Sequence, residues 1–74
     1  MSQTHPTVEI MFMVEELPAG GLTARAVGAS IFTEADTLDE LRDNVREAVA
    51  CHFEDGHRPQ VIRLRIVQEE ILPT

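Results

Sequence analysis

Hydrophobic and polar residues alternate from Val8 to Glu15. Val8, Ile10, Phe12 and Val14 fall on one side, Glu9, Met11, Met13 and Glu15 on the other. A period of two is that of a strand with one buried face. Leu17-Pro18-Ala19-Gly20-Gly21 then supplies turn chemistry, Pro fixing φ and glycine permitting positive φ. A second strand is predicted over 22–27, with Leu22, Ala24 and Ala26 inward, and Gly28 marks a bend before a short third strand over 29–33. The small residues of the second strand leave room for a helix to cross it closely.

The period changes at Thr37. Thr37 with Glu40 three residues on fits a capping box. Asp36, Asp39 and Glu40 set negative charge at the positive end of the helix dipole. At about 100° per residue, Leu38, Leu41, Val45, Ala48 and Val49 form one stripe, with His52 inside it and Phe53 at its edge. Asp39, Glu40, Asp43 and Glu47 lie outward, a ridge interrupted by Arg46. Gly56 stands where it would help end the helix, and Pro59 blocks continuation. Alternation returns over 61–67, with Ile62, Leu64 and Ile66 on one face and Val61, Arg63, Arg65 and Val67 on the other.

Connection rules assemble these elements. Two hairpins give an antiparallel meander, and a right-handed helical crossover returns the last strand parallel to the first. The expected fold is α+β, a βββαβ two-layer sandwich with sheet order 3-2-1-4, in one domain spanning 1–74 with its core at about 7–67. The helix covers one sheet face. Nothing in the sequence is left to cover the other.

At 74 residues such a domain buries only about 60% of its unfolded surface, so its core is small. Cys51 is the only cysteine, which excludes a disulfide framework and suits a reducing compartment. Self-association is then the expected source of further buried area. The start of the sequence has no basic segment followed by an apolar run, and no run approaches the roughly 20 residues of a membrane span. A cytoplasmic protein without membrane association is expected. Six basic residues, all Arg, face thirteen Asp and Glu, for a formal charge of −7. This disfavours nucleic-acid binding, which needs clustered positive charge, and suits a basic protein partner.

Three places could carry chemistry. The bare sheet face presents Glu9, Met11, Met13, Arg25, Arg63 and Arg65, with Glu15, Val27, Val61 and Val67 around them. Methionine beside apolar neighbours marks an adaptable contact surface, and Glu9 or Glu15 is within reach of Arg63 or Arg65 across adjacent strands. A solvated mixed face is the plainer alternative; the small core favours a partner or oligomer interface. The helix ridge of Asp39, Glu40, Asp43 and Glu47 reads first as a solvated face and second as a docking site for a basic partner. Cys51, His52 and His57 do not match zinc-ligand spacing, Cys51 projects away from His52, and His52 reads as semi-buried. No metal site, cofactor or catalytic residue is expected. The last strand offers Arg63 and Arg65 where a metal-dependent nuclease would need carboxylates, and no phosphate loop or triad order appears.

VEEL-PAGG (14–21), TEADTLDELRDNVREAV (33–49) and VIRLRIV (61–67) together resemble the HicB-like antitoxin family over roughly Thr7 to Val67. The most specific part is the helix entry D-T-x-x-E-x-x-x-N, here Asp36, Thr37, Glu40 and Asn44. The resemblance implies a partial RNase H-like βββαβ fold and a non-catalytic protein that neutralises a small basic, mRNA-cleaving HicA-like toxin. It also implies dimers or tetramers. Full HicB antitoxins usually carry a C-terminal DNA-binding module; the sequence stops soon after its last strand, so direct DNA binding is not expected. The family also contains short stand-alone members. The alternative is therefore a self-assembling regulatory or small-ligand-binding protein with no toxin partner.

Overall fold

The computed structural model describes residues 9–54, 56–68 and 70–74. In chain order it contains β1 (Glu9–Glu16), β2 (Leu22–Ala26), β3 (Phe32–Ala35), α1 (Leu38–His52) and β4 (Val61–Val67). The four strands form one mixed sheet in the order β3-β2-β1-β4. β1 pairs antiparallel with β2 and parallel with β4, and β2 pairs antiparallel with β3. This is the α+β architecture that the alternation and the connection rules anticipate. Val8, counted with the inward residues of the first strand, lies outside the described residues.

β1 is central because it carries the cleanest alternation. Ile10, Phe12 and Val14 are all buried, Phe12 and Val14 completely. Ala24 and Ala26 of β2 complete the floor, and Leu41, Val45 and Val49 of α1 close it from above. Alanine on β2 lets the helix approach closely, so its large side chains reach β1. The turn between β1 and β2 is closed by the Gly20 amide donating to Leu17 O at 3.0 Å and the Leu17 amide donating to Gly21 O at 2.9 Å. Gly21 has φ +95°, and a Cβ there would meet the Ala35 carbonyl oxygen at 3.4 Å. A side chain at that position is therefore opposed by both backbone conformation and space.

β3 begins later than the sequence suggests, at Phe32 rather than Ala29. Ala29 and Ser30 stay in the connection, closed by the Ala26 amide donating to Ile31 O at 2.9 Å. Ile31 is buried ahead of the strand, and pairing starts with Arg25 opposite Phe32. The strand therefore runs through Thr33 and Glu34 to Ala35.

The helix start is fixed by side chains. The Glu40 amide donates to Thr37 Oγ1 at 3.2 Å, the N-cap contact. Glu40 Oε1 accepts from the Asp36 amide at 3.2 Å, one residue earlier than in a standard capping box. Asn44, one turn further, donates through Nδ2 to Glu34 O at 3.1 Å and ties α1 to the end of β3. The helix ends at His52, with Phe53 extended (φ −108°) and its amide donating to Val49 O. Gly56 does not cap it: the turn around Gly56, closed by the His57 amide on Glu54 O, lies after the helix has ended.

Candidate functional site

The helix lies against β2 and β3, leaving the opposite sheet face open. The register defines that open face row by row. Phe32, Arg25, Met13 and Arg65 stand abreast, followed by Glu34, Thr23, Glu15 and Val67. On the other side, Met11 stands beside Arg63, and the Val27 amide reaches Met11 O at 2.8 Å. Glu9 and Val61 form the last row. The six residues singled out from sequence, Glu9, Met11, Met13, Arg25, Arg63 and Arg65, thus share one surface. Met11 and Met13 are half-buried among their neighbours, while Val27 is 55% exposed and Phe32 59% exposed.

Phe32 is the largest apolar group on this face, and the sequence reading did not place it there. Its signal was present: with Ile31 inward, alternation sends Phe32 outward. Glu34 follows it two residues on. The predicted pairing between β1 and β4 is realised by one combination: Arg63 Nε and Nη2 each donate to a carboxylate oxygen of Glu9 at 3.2 Å. This contact holds the Arg63 guanidinium above its ordinary pKa, through the hydrogen bond first and the charge second. Arg25, Arg65, Glu15 and Glu34 make no side-chain ion pair among the described residues.

The open face carries three Arg (25, 63, 65) and three Glu (9, 15, 34), so it is formally neutral. The rest of the sequence holds the other three Arg and ten acids, and with them the whole charge of −7.

The outward ridge of α1 is present but partly neutralised. Arg42 pairs with Asp39 at 2.7 Å and Arg46 with Asp43 at 3.2 Å, both exposed contacts at i, i+3. Acidic residues are denser beside the start of the helix, Asp43 alone among them being paired with an Arg within the described residues. An open hollow of about 510 Å³ is lined there by Glu34, Asp36, Glu40, Asp43, Asn44 and Gly21, with no Arg. The sequence reading set Asp36 with Glu40 at the start of the helix but missed that the end of β3 and the turn after β1 close a hollow around them.

His52 does not occupy the apolar stripe as a semi-buried residue. It is exposed, its ring edge-on to Phe53 at 4.9 Å. Beyond the last helical turn, His52 and Phe53 border an open hollow with Ile10, Met11, Val27 and Pro59. Helical phase alone does not reveal that the packed layer ends there. Cys51 is also exposed. Among the described residues, no three His, Cys, Asp or Glu side chains are grouped to hold a metal ion. Among the same residues, no helix is long and apolar enough to cross a membrane.

No family model matches the chain, and no solved structure matches it. Among curated proteins, it is 54% identical over 52 residues to a UPF0150 protein of Archaeoglobus fulgidus, covering 70% of this chain and 77% of that one. It is 38% identical over 61 residues to a UPF0150 protein of Thermotoga maritima, covering 82% of this chain and 86% of that one. Identity at this level over most of both sequences makes the chain a member of the UPF0150 family.

Proposed function

We propose that this protein is a cytoplasmic, non-catalytic protein-binding domain of the HicB-like antitoxin type, neutralising a small basic partner of the HicA-like, mRNA-cleaving kind. The observation that carries this reading is the segregation of charge. The sheet face is neutral, and all net negative charge lies elsewhere, with Asp36, Glu40 and Asp43 around the hollow beside the helix start. A basic protein would dock on that side, over the hollow and the ridge of Asp43 and Glu47. Facing charge of opposite sign accelerates encounter and disfavours wrong partners. The helix-entry residues Asp36, Thr37, Glu40 and Asn44 support the HicB-like assignment, and the βββαβ order is read as a partial RNase H-like sheet. Of Glu9 and Glu15, the two first-strand carboxylates on which a metal-dependent nuclease could draw, Glu9 is engaged by Arg63.

The test is capture on the tagged chain at low salt, followed by an mRNA-cleavage assay of the captured protein with and without the chain. The expected result is one small basic protein in near-equal amount, released by 0.5 M salt, whose cleavage activity the chain suppresses. The double substitution Asp43→Lys, Glu47→Lys should abolish capture. Recovery of the chain alone, or a captured protein with no cleavage to suppress, would overturn the reading.

A further inference from the structure

The neutral sheet face has a different complement from the acidic side. We propose that it is a self-interface, on which a second copy packs face to face about a two-fold axis parallel to the strands and midway between β1 and β2. This goes beyond the toxin reading and does not depend on it.

The register supplies the argument. Such an axis lays β1 of one copy over β2 of the other, and β3 over β4. Each row of the face then meets itself reversed. In the row Phe32, Arg25, Met13, Arg65, Phe32 meets the second copy's Arg65, a cation over an aromatic ring. Arg25 meets Met13. Val27, 55% exposed, meets Met11. In the next row, Glu34 meets Val67 and Glu15 meets Thr23.

Charge decides between this arrangement and the alternatives. Along each strand the next residue on the same face is two positions away, about 7 Å. Glu34 over Val67 is therefore beside the second copy's Arg65, and Glu15 over Thr23 is beside its Arg25. Those are the four charges of the face that lack an ion-pair partner within the described residues of the chain, and the two-fold pairs all of them. An axis perpendicular to the strands through the Met13 row would instead set Arg25 on Arg25 and Arg65 on Arg65. Sheets packed within about 30° of one another, roughly 10 Å apart, accommodate the proposed order.

The plan area of the face is on the order of 400 Å² per copy from strand spacing and rise. A standard interface buries about 800 Å² of accessible surface per partner. The interface is accordingly small, and the dimer forms in a concentration-dependent equilibrium with the monomer.

Sedimentation of the full chain from about 1 μM to 1 mM tests this. The expected result is a monomer–dimer equilibrium. Glu34→Arg and Arg65→Glu, both at exposed positions, should each raise the dissociation constant at least tenfold with unchanged circular dichroism. The double variant restores the pair with its signs exchanged, and should recover dimerisation. A monomer at every concentration, single variants that dimerise like the wild type, or a double variant no better than the singles would each overturn the proposal.

Discussion

Asn44 of α1 holds the main-chain oxygen of Glu34, ten residues earlier, with its side-chain amide at 3.1 Å. This contact gives a physical meaning to the helix-entry pattern. Asp36 lends its amide to Glu40, Thr37 caps the Glu40 amide, and Asn44 ties the second turn to the end of β3. The pattern is a clip that sets the angle at which the helix leaves the sheet. Similarity in these residues therefore speaks first for the fold.

Asn44→Ala should lose about 1 kcal/mol, the net worth of one such hydrogen bond, read from the urea midpoint. Asn44→Asp should lose more at pH 7, because a carboxylate would face the Glu34 carbonyl. The introduced acid has its folded pKa raised, so its neutral, donating form is the favoured one. Its stability contribution is present below that pKa and lost as pH rises through it. Acidification should narrow the gap between Asn44→Asp and Asn44→Ala. An unchanged gap would show that the contact does not form.

Thr37→Ala removes the acceptor for the Glu40 amide and should cost about 1 kcal/mol. Thr37→Ser should cost much less, since the hydroxyl remains. Urea denaturation followed by circular dichroism separates the two.

Truncation of the core should be far more damaging. Leu41 is fully buried and Val45 nearly so. Leu41→Ala is expected to cost about 2–5 kcal/mol, comparable with what a core of this size supplies. The variant should lack a cooperative thermal transition at 37 °C and above.

Ile66 provides the contrast. It stands opposite Val14 in register yet is 48% exposed. Ile66→Thr should change stability by about 0.5 kcal/mol or less, as an exposed site. Val14→Ala, at its fully buried neighbour, should cost several times more.

Ile66, His52 and β3 show where the sequence was legible and where it was not. Periodicity assigned each element and each inward face, because period two and period 3.6 are imposed by backbone geometry. It also brought Glu9, Met11, Met13, Arg25, Arg63 and Arg65 onto one surface. It says nothing about how far the opposing layer extends. His52 has the helical phase of a core residue and Ile66 the strand phase of one, but the helix lies over β2 and β3, and the packed layer stops short of both side chains. β3 was misplaced because Ile31 and Phe32 look like a strand centre, whereas the pairing partner Arg25 fixes where the ladder begins. The acidic hollow and the neutrality of the sheet face depend on which strand lies beside which, so they emerge only from the assembled sheet.

The parallel neighbours β1 and β4 have a mechanical consequence. Tension applied between Glu9 and Val67 runs along the seven paired positions that join the two strands, so the load falls on all of them at once. A hairpin pulled from its open end would instead unzip pair by pair. The protein should therefore resist stretching between its first and last strands much more strongly than its small core suggests, which single-molecule force spectroscopy between those two positions would reveal.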